Sequence, residues 1–204
     1  MSIPAKQIGW SNESNLLWYI LKQLNKLTSV IFNLKPKYNV YTALLTQSGG
    51  DGPLTTLSGA LTVGVTYKLG TIQGNDDFTN VGAPTNEFGI SFVATGTTPA
   101  NWESETELEY NTGAPVVTVL ENTIGNIWFT YDTVGKYYAN SNGLFTENKT
   151  LALVYENSAD VEGAIVQILS NRISNNQIAI ENGADGNLSD NLIINRPIEI
   201  RVYN

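Results

Sequence analysis

The sequence predicts a mainly β protein in which an N-terminal coiled-coil anchor helix precedes a β-sandwich-like domain with an inserted small β module. Three observations carry this prediction. Asn, Thr, Gly and Ser make up 76 of the 204 residues, a composition typical of β proteins with many turns. An unbroken heptad pattern of apolar residues precedes Pro36. Short β-branched and aromatic runs, separated by turn residues, follow it.

The first element is a helix that begins at a Ser11 or Ser14 cap and ends before Pro36. Its apolar residues follow a 3-4-3-4-3 spacing, which predicts a coiled-coil seam. This oligomerisation seam consists of Leu17, Ile20, Leu24, Leu27, Ile31 and Leu34. Leu at position a with Ile at position d disfavours two strands in the first heptad, although the last heptad reverses this preference. Leu16, Leu21 and Val30 widen the apolar stripe, which suits a trimer. We therefore expect a homotrimer, with a homodimer or an amphipathic helix packed on its own β domain as the alternatives.

Charge separates this N-terminal piece from the rest of the chain. Residues 1–37 hold five lysines and one acidic residue, a net charge of +4, whereas the remainder holds 6 basic and 18 acidic residues, a net charge of −12. The acidic balance argues against nucleic-acid binding. Lys22 and Lys26 lie in the middle of the apolar helix and argue against a membrane span. We assign residues 1–36 to an anchor arm and helix.

The arm before the helix contains the short apolar group Ile8, Gly9 and Trp10. Tryptophan is enriched at the centres of protein interfaces. We expect Trp10 to insert into a partner protein, with a cap folded back on its own helix as the alternative.

After Pro36 the apolar period changes from helical to extended. Short strands with turn signals at close spacing favour a sandwich or barrel. We assign residues 37–50 and 113–204 to one β-sandwich-like domain. Its predicted strands are Tyr38–Leu45, Val116–Leu120, Asn126–Tyr131, Lys136–Ala139, Leu151–Tyr155, Ala164–Leu169, Gln177–Ile180 and Pro197–Tyr203.

Residues 51–112 form the predicted inserted module, with strands at 66–69, 89–94 and 108–110. Flexible residues bracket it, Ser48–Gly50 before and Asn111–Gly113 after. Together they read as the two ends of one hairpin loop. An insertion at such a loop costs the host domain little, because loop-closure entropy grows only logarithmically with length.

No catalytic, cofactor or metal site is predicted. Cysteine and histidine are absent, which excludes Ser-His-Asp and Cys-His catalysis and Cys or His zinc sites. The alternating acids Glu103, Glu105, Glu107 and Glu109 predict an acidic edge strand, with calcium binding and a glycosidase pair as alternatives. Asp76-Asp77 and Asp185-Gly186-Asn187 are expected to be structural turns. We expect a protein that is not an enzyme.

Four aromatic residues occupy the predicted central strands, Trp128, Phe129, Tyr137 and Tyr138. Alternating aromatics on a strand are normally core on one face. The alternative interpretation is stacking on sugar rings.

Several segments resemble virion structural proteins of crAss-like and related Bacteroidetes bacteriophages. Residues 6–13 with the following Leu16-Leu17-Trp18 resemble the N-terminal anchor of those proteins. In those proteins a β domain follows the anchor, and four stretches of this chain resemble it: residues 40–49, 114–125, 145–150 and 198–203. Residues 76–83 and 92–99 with Trp102 look like a small module of phage structural and fibre proteins.

This resemblance implies a structural component of the virion, made in the bacterial cytoplasm. Within the family such proteins are head (capsid) fibres or tail-associated fibre proteins. The expected partners are further copies of the chain and other virion proteins, such as the capsid or a second fibre protein. The alternative function is a glycan-binding adhesin that contacts the host surface.

Overall fold

The structure is a computed structural model that describes residues 11–33, 37–155 and 166–204. The chain is mainly β, with 43% of its residues in strands and 12% in helices. Its residues divide into two units between Lys37 and Tyr38. The mainly β class with one N-terminal helix, as the composition and the change of apolar period predict, is confirmed.

The first unit contains helix α1, Asn12–Asn33. The Oγ of Ser11 accepts a hydrogen bond from the backbone N–H of Ser14 over 3.3 Å. This is the N-cap geometry, in which a side-chain oxygen satisfies an N–H that has no partner within the helix. Of the two predicted caps, Ser11 is the one that acts. The 22 residues of the helix span about 33 Å.

The second unit contains the strands, joined by turns and by a short 3-10 helix at Thr79–Val81. Strands predicted for residues 38–50 and 113–204 are confirmed to within a few residues, whereas the short strands β2 and β12 are not anticipated. The described strands are β1 (Tyr38–Thr46), β2 (Pro53–Thr56), β3 (Thr66–Leu69), β4 (Ser91–Val93), β5 (Leu108–Asn111), β6 (Val116–Asn122), β7 (Ile127–Thr133), β8 (Lys136–Ser141), β9 (Thr150–Val154), β10 (Val166–Arg172), β11 (Gln177–Ala184), β12 (Asn187–Leu188) and β13 (Arg196–Tyr203).

These strands form three antiparallel sheets. The first sheet has the order β6-β1-β13-β9, and the second has the order β10-β11-β8-β7, with β12 paired to β11. The third and smallest sheet has the order β2-β5-β3-β4 and uses only strands from residues 51–112. The register of β1 on β13 pairs Tyr41 with Ile200 and Ala43 with Ile198, so the buried residues of both strands share one face.

The two larger sheets contribute their apolar faces to one buried cluster. Tyr41 of β1 and Ile200 of β13 belong to it, together with Phe129 of β7 and Tyr137 of β8. Each of these four side chains is at most 1% exposed. The small sheet has its own cluster, which includes Phe78, Phe92 and Leu108.

The small sheet contacts the rest of the second unit at β7 and β6. The backbone N–H of Phe129 donates to the Oγ1 of Thr66 over 3.1 Å, and Val117 donates its N–H to the carbonyl of Gly64 over 2.9 Å. Gly64 has a φ of +87°, and a Cβ there would lie 2.5 Å from the Val117 carbonyl oxygen. A glycine is therefore required where the small sheet approaches β6.

The two ends of residues 51–112 lie next to each other. The side chain of Asn111 holds both ends: its Nδ2 donates to Asp51 over 2.7 Å and its Oδ1 accepts from Gly113 over 2.8 Å. The flanking strands β1 and β6 pair antiparallel, with Thr46 opposite Val116. Strands β1 and β6 therefore form a hairpin, and residues 51–112 lie within the loop that connects them. The division into a host domain and an inserted module stays a prediction, which a deletion can test.

Candidate functional site

The seam of α1 presents large apolar side chains to the surface. The exposed fraction is 58% for Leu17, 47% for Ile20, 52% for Leu24 and 56% for Leu27. In a helix, residues three and four positions apart lie on one face, so these four side chains form a continuous stripe. Exposed apolar stripes of this kind mark protein–protein contacts.

The stripe widens on both sides. Leu16 is 62% exposed and Leu21 is 41% exposed, and these residues occupy the positions that flank the seam in the heptad pattern. Trp18 lies off the seam, where the Nζ of Lys22 sits 4.8 Å from the centroid of its ring. The helix thus has a broad apolar face, while a lysine and an aromatic ring contact each other away from it.

Two predicted sites extend beyond what the structure describes. Ile31 belongs to α1, whereas Leu34 lies outside the described residues. The proposed anchoring residues Ile8, Gly9 and Trp10 also lie outside them. The seam is therefore described for four of its six members, and the anchor stays a prediction.

A second candidate site is a groove of about 620 Å³ between the small sheet and β7; we call it the inter-sheet groove. One polar residue from each strand of the small sheet lines this groove. Thr55 of β2 pairs with Glu109 of β5. Glu109 also pairs with Lys68 of β3, and Lys68 pairs with Ser91 of β4. Directly paired residues lie on the same face of a sheet. The four side chains therefore form a transverse polar row.

The charges in this row compensate each other. The Nζ of Lys68 lies 2.8 Å from Oε2 of Glu109, and both side chains are about half exposed, at 46% and 50%. Exposed ion pairs of this kind add little stability. Because Lys68 and Glu109 carry opposite charges, the lining of the groove offers hydrogen-bond donors and acceptors but has no net charge.

The opposite wall of the groove comes from β7, through Phe129, Thr130 and Tyr131. The hydroxyl of Tyr131 donates to Oδ2 of Asp190 over 2.9 Å. Burial and the hydrogen bond to Asp190 raise the pKa of Tyr131. The phenol therefore stays protonated and its ring is held in one orientation beside the groove.

The acidic stretch that precedes β5 is not the strand that its alternation predicts. The strand begins only at Leu108, Glu105 has a φ of +62°, and β5 lies inside its sheet, not at its edge. The buried carboxylate of Asp76 determines this loop, since it accepts backbone N–H groups of Glu103 and Ser104 at 2.9 Å each and of Thr106 at 3.0 Å. The prediction of an acidic edge strand is wrong.

The carboxylates Asp76 and Asp77 are structural, as predicted. Burial by itself raises the pKa of Asp76, but the hydrogen bonds from Thr106, Ser104 and Glu103 outweigh it and hold this pKa below its usual value. The amide of Asn86 and the backbone and hydroxyl of Thr79 lower the pKa of Asp77. Within the described ranges, no group of three or more acidic side chains could hold a metal ion.

The remaining sequence predictions concern aromatic residues and a turn. Phe129 and Tyr137 are fully buried, whereas Trp128 and Tyr138 alternate with them and are half-buried. The core interpretation is thus confirmed for one face of the strands. Asp185 (φ +51°) and Gly186 (φ +80°) form the predicted turn, between β11 and β12.

The inter-sheet groove is the feature that sequence reasoning missed. Its lining comes from five strands in two sheets. Thr130 and Tyr131 stand more than 20 residues along the chain from Glu109, the nearest member of the polar row in sequence. The alternation of Lys68 and Glu109 with buried neighbours indicated exposed positions, but no local signal placed these residues opposite β7.

In the part of the chain that the structure describes, no helix combines the length and the apolar character that crossing a membrane requires. Comparisons with models of known protein families, with curated proteins and with solved structures found no match.

Proposed function

We propose that this protein is a self-associating structural component of a bacteriophage virion, specifically a head fibre, and that it is not an enzyme. Its N-terminal arm attaches to another virion protein, α1 assembles a homotrimeric coiled coil, and a sandwich-like β body with an inserted module projects outward. The exposed stripe of Leu17, Ile20, Leu24 and Leu27 is the observation that carries the proposal.

The spacing of this stripe favours copies of the same chain over an unrelated partner. A seam that alternates steps of three and four residues is self-complementary, because each a or d side chain fits the hole formed by four residues of an identical helix. Complete burial of one Leu side chain contributes about 1.5–3 kcal/mol. The described seam residues are already half covered by their own helix, so each gains about half of that on association.

The width of the apolar face favours three helices over two. Leu17 and Leu24 occupy a, Ile20 and Leu27 occupy d, and Leu16 and Leu21 flank them on g and e. Leucine at a with isoleucine at d, as in the heptad of Leu17 and Ile20, disfavours two-stranded coils, whereas the last heptad has the reverse preference. A trimer also covers more of the flanking positions than a dimer does, and a homodimer is the alternative.

Charge supports attachment through the N-terminal end. Residues 1–37 carry +4 and the remainder carries −12. An acidic partner surface attracts the first piece and repels the second, which orients the protein as it approaches. The resemblance of residues 6–13 to the anchors of phage virion proteins supports the same orientation, with a tail-associated fibre as the alternative location.

Occupied carboxylates support a structural role. Asp76 accepts three backbone N–H groups, Asp77 accepts from Thr79 and Asn86, and Asp190 accepts from two tyrosines. A general acid or base must be within reach of a substrate proton, whereas these groups are used to fix loops and strands.

Analytical ultracentrifugation of the full chain tests the proposal. The wild type should sediment as a trimer at micromolar concentration, and the variant Leu24→Asp/Leu27→Asp should sediment as a monomer with unchanged β-type circular dichroism. The matched control is Asn25→Asp/Ser29→Asp, which adds the same two charges at heptad positions b and f, outside the seam. A monomeric wild type, or dissociation of both variants alike, contradicts the proposal.

A decoration assay tests the attachment. Fibre-less phage particles are mixed with wild type or with Trp10→Ala, and occupancy is measured by electron microscopy. Loss of a central tryptophan costs about 2 kcal/mol or more at an interface, so occupancy of the variant should fall strongly. Tyr19→Ala is the aromatic control, since Tyr19 is 53% exposed on α1 and lies outside the seam and outside the residues that resemble the anchor. Equal occupancy by wild type and Trp10→Ala contradicts the anchoring role.

A further inference from the structure

The inter-sheet groove has hydrogen-bonding groups that the protein itself does not use. Within the described residues, the hydroxyls of Thr55 and Ser91 have no side-chain hydrogen bond, and Lys68 uses one of its three N–H donors on Glu109. The groove is about 620 Å³, within the range of small-molecule sites. A bound molecule would therefore meet several donors and acceptors along one row.

One aromatic ring stands across from this polar row and is fixed in place. Tyr131 is held by its hydrogen bond to Asp190 over 2.9 Å, and its ring lies 5.7 Å from that of Tyr137. Fixed rings bind at a low cost in conformational entropy, which favours a rigid, ring-shaped ligand.

The lining also argues against other ligand classes. Residues 38–204 carry a net charge of −12, which repels nucleic acids and acidic sugars. Strand addition uses a free sheet edge, whereas the polar row crosses the face of the small sheet, whose central strands β5 and β3 are paired on both sides. An apolar ligand that displaced water would leave two N–H donors of Lys68 and the hydroxyls of Thr55 and Ser91 without hydrogen bonds.

From these observations we propose that the inter-sheet groove binds a neutral glycan, with sugar hydroxyls bonded to the row Thr55–Glu109–Lys68–Ser91 and a sugar ring against Tyr131. A neutral sugar presents donors and acceptors in similar number and no net charge, as the row does. This proposal is independent of self-association through α1, because the residues that line the groove lie between Pro53 and Tyr131.

The test uses the full chain on an array of short neutral oligosaccharides built from glucose, galactose, mannose and N-acetylglucosamine, beside uronate- and sialate-containing ones. Neutral members that bind are then titrated in solution by calorimetry. We expect Lys68→Ala and Ser91→Ala to weaken binding by about tenfold or more, which is the loss of one well-formed polar contact or a charged one.

Matched controls separate this site from the rest of the surface. Lys136→Ala removes a similar lysine, whose Nζ lies 3.5 Å from Glu181 outside the groove, and should bind as the wild type does. The seam variant Leu24→Asp/Leu27→Asp should keep the affinity per chain in solution even where its array signal falls. No binding of any neutral sugar, a preference for acidic sugars, or equal binding by Lys68→Ala and wild type overturns the proposal.

Discussion

The hydroxyl of Tyr137 on β8 donates to Oδ1 of Asp190, a residue 53 positions later, over 2.8 Å. The same oxygen accepts the backbone N–H of Gly135 over 2.8 Å, and Oδ2 accepts the hydroxyl of Tyr131 over 2.9 Å. One half-buried carboxylate therefore ties the β7–β8 hairpin to the segment that leads into β13.

Removal of the Tyr137 hydroxyl should destabilise the protein. In Tyr137→Phe the Asp190 carboxylate loses a donor in a buried setting, at a cost of about 1–3 kcal/mol. Urea denaturation followed by tryptophan fluorescence measures the change. Tyr138→Phe is the matched control, since its hydroxyl donates to Asp132 over 3.1 Å at an exposed position and should change stability by less than half as much. Equal effects of the two substitutions would contradict the role of Asp190.

The same contact predicts a loss of stability in alkali. Burial, together with the hydrogen bond to and the charge of Asp190, raises the pKa of Tyr137 above its ordinary value of 10.0. The folded state therefore keeps a proton that the unfolded state releases, so stability is fully present below about pH 10 and decreases as the pH rises beyond it. The decrease between about pH 9.5 and 11 should be shallower in Tyr137→Phe than in wild type. Parallel curves would contradict this.

Removal of the Tyr41 hydroxyl should stabilise the protein, which is the opposite of the effect expected for the Tyr137 hydroxyl. Its side chain is 1% exposed, and its hydroxyl has no hydrogen-bond partner in the described part of the chain. A buried polar group without a partner costs about 1–3 kcal/mol. Tyr41→Phe should therefore raise the urea midpoint while Tyr137→Phe lowers it. A lower midpoint for Tyr41→Phe would show that this hydroxyl contributes to stability.

The loop that precedes β5 should depend on the charge of Asp76. In Asp76→Asn an amide N–H₂ replaces an acceptor oxygen beside backbone N–H donors, which should cost about 1–3 kcal/mol at pH 7. Because the pKa of Asp76 is lowered in the folded protein, its contribution is present above the unfolded value of 3.8 and is lost as the pH falls through the folded value.

Chemical denaturation at several pH values checks both parts of this prediction. The difference between wild type and Asp76→Asn should be full near pH 7 and should shrink below about pH 4. Glu147→Gln, at an exposed position, is the control and should be nearly neutral throughout. A difference that does not depend on pH would mean that packing, not charge, accounts for the effect of Asp76→Asn.

Replacement of residues 51–112 by a short Gly-Asn linker should leave the two larger sheets folded. The ends are adjacent, since Asn111 bridges Asp51 and Gly113, and a short loop can join β1 to β6. Stability should fall, because Val93 leaves the larger core cluster and the N–H of Phe129 loses Thr66. Circular dichroism and thermal melting measure this, and collapse would show that the sheets depend on one another for folding.

The sequence predicted the helix correctly but not the conformation of the acidic loop that precedes β5. The cap at Ser11, the helix through Asn33 and the alternation of β13 all follow from contacts within a few residues, which side-chain spacing reports directly. The alternation of Glu103 to Glu109 has the period of a strand, yet three backbone N–H groups of that stretch bind Asp76 instead. A partner about 30 residues away overrode the local pattern.

The sequence by itself determined the mainly β class of the protein, the apolar stripe on α1 and the opposite charges of its two parts, because composition and periodicity act at short range. Only the tertiary structure decided that Thr55, Glu109, Lys68 and Ser91 form one row, that Tyr131 stands across from it, and that Asp190 holds Tyr131 and Tyr137. Strand order and register bring such residues together, and these depend on the packing of whole sheets, which no single segment of the chain specifies.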